Sequence, residues 1–292
     1  MRNKNILAWS LLLILALIWG SSPLLIKKAL VSLDPFEIGA LRLTLASFVL
    51  MPFLLKNLKE IQKKDYLILF TSGIVGNVLP YFLYPIAQTK IDSATSGVLT
   101  SLTPFFALII GVIFYKLKAT KNNIVGLVIG FLGTLLLILF SGSAGGFNVD
   151  LFGLFVVAAT MLYGINLNLV KYHLSHLKPI TITSFSIVSI LPISIYILFF
   201  LTPFQSHVNN FNDFKIEFGY VFVLGVLGTS IATIIFYNLI KIKDTVFASM
   251  VTYLMPLVAI SLGVIDGEKI NEIQLLGMAL ILIGVFINGR KN

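Results

Sequence analysis

The stretch "EIGALRLTLASFVL" (residues 37–50) sets one arginine, Arg42, among leucine, alanine, valine and phenylalanine. A guanidinium keeps its charge in any protein and offers only donors. Arg42 is therefore suited to holding an anion or to tying its helix to carbonyls and hydroxyls. Other polar groups recur at helical spacing. Gly73, Gly76, Asn77, Pro80, Tyr81 and Tyr84 fall on one helical face. Gly225, Gly228, Thr229, Ala232, Thr233 and Phe236 repeat that spacing. A further pair of segments carries Gly97, Thr100, Pro104 and Gly111, and Ser249, Thr252, Pro256 and Gly263. Such groups bind a ligand and break no bonds. Aromatic faces with a few amides and hydroxyls suit an amphipathic metabolite. Pro80, Pro104 and Pro256 free backbone carbonyls, which is tolerated in lipid where helices line a cavity. In "WGSSP", Trp19, Ser21 and Ser22 precede a proline, as in a kinked helix beside the same cavity; Asn166 and Asn168 hold the matching place later in the chain.

Plainer uses compete with these. Lipid-embedded helices pack through small residues, which is the preferred reading for the glycines and alanines. It serves Asn77, Tyr81 and Tyr84 less well, because bulky polar groups need partners in a dry region. Trp19 also fits an aromatic anchor at the membrane interface. Arg42 lies about 10 Å from the outer end of its segment. Two readings stand for it. It snorkels to the outer headgroups, or it faces inward, held by Ser21, Ser22 or carbonyls freed near Pro23, tying span two to span one or attracting a substrate carboxylate. The tie is preferred over substrate binding. Glu37, on the same helix, is turned to another face.

Catalysis finds little support. The chain has no cysteine, which excludes disulfides, thiol catalysis and thiolate metal sites. It has no His-Glu-x-x-His motif. His173, His176 and His207 fall in expected loops, and Ser101 and Ser230 lack a visible base. Asp34, Glu37, Asp92, Asp244 and Glu268 all sit at segment ends, so no proton carrier stands out. An intramembrane enzyme is the minor alternative, and neither a metal nor a cofactor is expected.

The elements that must position these residues are apolar spans. The chain is 58% hydrophobic and 11% charged, with a mean hydropathy of +0.99; a soluble domain carries about 25% charged residues. Spans are expected at 6–26, 35–55, 66–87, 93–115, 122–141, 151–170, 179–201, 218–240, 244–265 and 273–289. The first is read as an uncleaved helix, since its apolar run outlasts a signal peptide and no small-residue cleavage site follows. The net charge of +9 would raise nucleic acid as a partner of a soluble protein. Here it falls in short loops and reports topology. Most lysines and arginines, among them Arg2, Lys56, Lys116, Lys171 and Arg290, lie on the side of the N-terminus; Lys27, Lys28, Lys90, Lys215 and Lys269 lie opposite. Both termini are therefore expected in the cytoplasm.

The chain also repeats itself. "KIDSATSGVLTSLTPFFALIIG" from Lys90 matches "KIKDTVFASMVTYLMPLVAISLG" from Lys241, so that one constant offset carries Thr100 to Thr252, Pro104 to Pro256, Gly76 to Gly228, Asn77 to Thr229 and Tyr84 to Phe236. A second offset carries "WGSSPLLIKKAL" onto "YGINLNLVKYHL", with Trp19 on Tyr163. The expected fold is all-α and integral to the membrane. Two five-helix repeats, 1–141 and 151–292, flank a linker at 142–150, and five being odd, the repeats are inverted. "GLVIGFLG" (Gly126, Gly130, Gly133) carries a small-xxx-small motif that could pair two copies as a homodimer.

"IWGSSPLLIKKAL", the arginine early in span two, "YFLYPIAQTKIDSATSGVLTSLTPFFALIIGVIF" and "GEKINEIQLLGMALILIGVFI" together resemble the EamA domain family of the drug/metabolite transporter superfamily, as two tandem domains over nearly the whole chain. The family pattern has an acidic residue after span four, where this chain has Lys116; the second half keeps it as Glu268. The loss bears on helix ends rather than on substrate. The resemblance implies ten helices in two inverted halves and a transporter in a bacterial inner membrane that moves an amino acid or similar metabolite outward. Broad drug efflux and flipping of lipid-linked substrates are the alternatives within transport. The partners expected are the lipid bilayer and a small-molecule substrate, with no nucleic acid.

Overall fold

The computed structural model describes residues 2–140, 150–242 and 251–289. All secondary structure assigned there to runs of residues is helical. Among the described residues eight helices are long and apolar enough to cross a membrane: α1 (Asn5–Ala29), α2 (Pro35–Glu60), α3 (Lys63–Gln88), α4 (Ser93–Tyr115), α5 (Lys121–Leu139), α6 (Gly153–His173), α7 (Pro179–Leu201) and α8 (Phe211–Phe236). Two shorter apolar helices follow, α9 (Val251–Ile265) and α10 (Glu272–Gly289). Large apolar side chains such as Leu17, Phe131, Phe200 and Ile265 are exposed around the outside. A surface of that kind is stable only in lipid, and the chain is a multi-pass membrane protein.

Helix ends follow local chemistry. Asp34 caps α2 by accepting from the backbone N–H groups of Phe36 and Glu37, with Pro35 in the first turn. The Glu268 carboxylate crosses from the α9–α10 loop to accept from the backbone of Ser93 (2.8 Å) and Ala94 (2.9 Å), capping α4. An acidic residue at that place therefore holds a helix end. Pro104 cannot donate to the carbonyl of Thr100, so α4 breaks at Ser101–Leu102 and Thr103 Oγ1 donates to that carbonyl instead. In α3, ahead of Pro80, the chain runs through a π turn at Ile74–Val78. Its repeat partner α8 makes a π turn at Val226–Ile231 without a proline; there Thr229 and Ser230 hydroxyls donate to the carbonyls of Leu224 and Gly225, five residues back.

Two expectations need correction. Span eight begins at Phe211 rather than 218, because much of "TPFQSHVNNFNDFK" is helical: Phe204–Asn209 forms a short helix and the next turns belong to α8. His207 therefore sits on a helix, and His173 is the last residue of α6. The start expected for span nine, and residues 142–149 of the linker, lie outside the described residues.

The helices pair in opposite directions. Along α5 and α10, a Cβ on Gly126 would overlap the carbonyl of Gly284, and one on Gly133 would come within 2.5 Å of the carbonyl of Gly277. Residue numbers rise on one helix as they fall on the other, so the pair is antiparallel. The α2–α7 pair runs likewise, with Thr44 Oγ1 donating to Ser194 Oγ (3.0 Å) and Ser47 Oγ to the carbonyl of Ile187 (3.1 Å). So does α4–α9, where Gly97 meets Ala259 and Ala94 meets Gly263. Gly126 and Gly133 of α5 thus pack against α10 of the same chain.

Candidate functional site

Arg42 is 8% exposed and faces inward. Its Nε donates to Thr229 Oγ1 on α8 at 3.0 Å, and its guanidinium carbon lies 3.9 Å over the ring of Tyr81 on α3. The snorkelling reading is thereby corrected, and so is the tie to span one. Ser21 and Ser22 both donate to the carbonyl of Ile18 on their own helix. The tie runs to spans three and eight. No acidic side chain pairs with Arg42 among the described residues.

Trp19 is no interface anchor. Its indole N–H donates to the carbonyl of Gly228 at 2.9 Å, inside the π turn of α8, and its ring meets Phe236 at 5.5 Å. Beside it a cavity of about 290 Å³ opens between α1 and α8, lined by Ile18, Ser21, Ser22, Leu224 and Gly228, with the exposed Leu17 and Leu227 among its walls.

The other expected residues divide into groups. Tyr84 is buried; its hydroxyl donates to Thr100 Oγ1 (3.0 Å), which donates to the carbonyl of Ser96, and its ring lies 6.2 Å from that of Tyr163. Thr233 Oγ1 donates to the carbonyl of Thr229. Asn166 accepts from Ser72 and fills the space beside Gly76, while Asn168 donates to the carbonyls of Ala107 and Gly164. Asn77 is half-buried and its amide finds no partner among the described residues. Thr252 is half-buried near the start of α9, and Pro256 is buried within it. The structure thus gathers Trp19, Ser22, Arg42, Tyr81, Thr229 and Gly228 around one crossing, and Tyr84 and Thr100 around Tyr163.

Local spacing passed over a second polar contact. Glu37 is fully buried and accepts from or shares a proton with His207 Nδ1 at 2.7 Å. On the opposite end of the α2–α7 pair, Lys178 and Thr181 bond the Glu60 carboxylate, and His176 meets Asp65 at 3.2 Å. The only sequence signal for the Glu37–His207 contact is that the α7–α8 connection, which carries His207, is longer than the α2–α3 one, which is what the unequal offsets mean. In the loop after α3, Asp92 is partly buried. Burial pushes its carboxyl above the usual range, against the opposing pull of Lys27.

The model of the EamA-like transporter family matches residues 6–139 and again 151–290. The chain belongs to this family. An uncharacterized transporter of Archaeoglobus fulgidus is 26% identical to this EamA-like chain over 286 residues, covering 97% of it and 99% of the relative. The Bacillus subtilis uncharacterized transporter YetK is 25% identical, covering 92% and 82%, and YoaV of the same organism is 25% identical, covering 93% of each. One solved crystal structure superposes with a TM-score of 0.61 at 18% identity, over 96% of this chain and 95% of that one, and shows the fold alone. These EamA-like relatives are named as transporters rather than enzymes. Among the described residues no cluster of three His, Cys, Asp or Glu side chains could hold a metal ion.

Proposed function

We infer that the protein is a secondary transporter that exports a small metabolite across the inner membrane by alternating access. Ten spans form two inverted repeats, with both termini in the cytoplasm. One observation carries the reading: contacts recur in pairs related by the repeat. Gly73 abuts the carbonyl of Ser186, and Gly225 abuts that of Arg42; Gly76 abuts Asn166, and Gly228 faces Ser22. The sequence offsets relate each contact to its twin. Antiparallel pairing of α2 with α7, α4 with α9 and α5 with α10 supports inversion, since each pair joins equivalent helices. Two such halves offer two mirror-related arrangements, one open to each side. The loop charges support the cytoplasmic termini. The hydroxyls and amides of Asn77, Tyr84, Thr100, Thr233 and Thr252 are the remaining lining of the pathway.

Two experiments test this. Single cysteines placed at Lys56 and Lys215 in the naturally cysteine-free chain should react with impermeant maleimide only from the inside and only from the outside, respectively. The same result on one side for both would end the ten-span inverted topology. For transport, the spent medium of overexpressing cells should gain a few metabolites over empty vector, and Asn77→Leu with Tyr84→Ala at matched membrane levels should lose them. No gain removes export. The exposed Leu17 and Leu227 beside the cavity favour one second reading, flipping of a lipid-linked substrate, which would leave the medium unchanged and alter the lipid extract.

A further inference from the structure

We propose that the crossing of α1 and α8 is a carboxylate-binding site, with Arg42 as the anion's seat and the cavity beside Ser22 holding the rest of a small apolar molecule. The proposal rests on the transporter reading and names its substrate class. Three observations carry it.

The first is an unmatched charge. Arg42 is 92% removed from solvent by its 8% exposure, yet only its Nε has a hydrogen-bond acceptor among the described residues. The terminal nitrogens, four N–H donors, have none. Tyr81 covers the guanidinium face and leaves those edges free. A buried cation without an anion is costly, and a ligand that supplies one recovers that cost.

The second is what lies beside those donors. A Cβ built on Gly228 would lie 3.6 Å from Ser22 Oγ and 4.0 Å from Arg42 Nη2. The hydroxyl and the guanidinium therefore converge on the bare face of one glycine. Apart from Gly228's own neighbouring turns, the other atom of the described residues that comes as near is the carbonyl oxygen of Val223, at 3.8 Å. The equivalent place in the other half is plugged, because Asn166 occupies the space beside Gly76.

The third is the cavity. Ser22 and Gly228 belong to its wall, and the rest is chiefly leucine, isoleucine and valine. At about 290 Å³ it lies at the small end of ligand pockets, about 300 Å³ and upward. A planar carboxylate matches the guanidinium fork, and a short branched chain matches the wall. A cationic amine would meet Arg42 with like charge.

The test uses the full chain in phosphatidylcholine nanodiscs with Trp9→Phe, which leaves Trp19, bonded to Gly228, as the single tryptophan reporter. The probes are L-leucine, 4-methylpentanoate, 3-methylbutylamine and inorganic phosphate. Leucine and 4-methylpentanoate should change Trp19 fluorescence saturably, and the amine should not. Arg42→Gln should weaken both by about tenfold or more, with Arg42→Lys between. Gly228→Ala is the sharper variant: its Cβ meets only ordinary contacts, so its melting temperature should hold, yet the methyl occupies the cradle and should weaken binding by about tenfold. The site is overturned if the amine binds like the carboxylates, if phosphate alone saturates, as a lipid-headgroup site would require, if neither carboxylate saturates, or if both Gly228→Ala and Arg42→Gln bind like wild type. Leucine exchange in proteoliposomes separates the two readings. Binding without exchange keeps the site and removes the transporter. Exchange that neither variant slows keeps the transporter and removes the site.

Discussion

The α1–α8 and α6–α3 crossings are built from equivalent residues and finished differently. In one, Ser22 faces Gly228, an arginine approaches, and a cavity remains. In the other, the matching Asn166 fills the space beside Gly76 and accepts from Ser72, closing the joint. The place of Arg42 is taken by Ser186, whose hydroxyl donates to the carbonyl of Leu69 (3.1 Å). The difference is one of side-chain size and charge on a shared backbone plan. Repetition supplies the geometry of a crossing, and a few substitutions decide whether it is a joint or a pocket. Close-packed joints resist added volume, whereas open ones accept it.

The largest effect is expected at the twin backbone contacts one turn before the two crossings, where α3 meets α7 and α8 meets α2. Gly73→Val and Gly225→Val each drive a side chain against a carbonyl, of Ser186 and of Arg42, and backbone cannot swing aside. Each should cost about 3 kcal/mol or more, read as lost monodisperse yield and a lower melting temperature in detergent. A tolerated Gly73→Val would mean that α3 and α7 do not meet as described.

A smaller effect separates the two crossings. Gly76→Ala pushes on the end of the Asn166 side chain, which can turn away at the loss of the Ser72 bond. The expected cost is about 1–2 kcal/mol. Asn166→Ala should relieve it, so the double variant is more stable than the sum of the two singles. Gly228→Ala, the twin substitution, should leave the melting temperature in place. Equal losses at Gly76 and Gly228 would erase the distinction between joint and pocket.

Much of this plan was legible in the sequence. The glycine registers on spans three and eight, the two offsets and the prolines foretold which helices carry the contacts. Pairing across the fold was not legible, because a helical period reports a face and not its neighbour. Arg42 finds Thr229 and Glu37 finds His207 through contacts between distant segments. Ser21 and Ser22 looked like partners for the arginine but spend their donors on their own helix, as serines in apolar helices do. The glycines of "GLVIGFLG" spelled a close helix contact without saying that the partner is α10. The π turn of α8 had no proline to announce it; its hydroxyl bonds to carbonyls five residues back appear only once the helix is built.

The smallest prediction concerns the aromatic pair Trp19 and Tyr163, which the repeat makes equivalent. Trp19 spends its one donor on the Gly228 carbonyl at 2.9 Å, within the π turn of α8. Tyr163 contributes a ring near Tyr84, and its hydroxyl has no hydrogen-bond partner among the described residues. Trp19→Phe removes a donor, leaves a backbone acceptor short in a dry region and trims the ring against Phe236. It should cost about 1 kcal/mol. Tyr163→Phe keeps the ring and removes only an unbonded hydroxyl, so its melting temperature should match wild type. If the two variants melt alike, the indole bond contributes nothing, and the α1–α8 crossing is held by apolar contact alone.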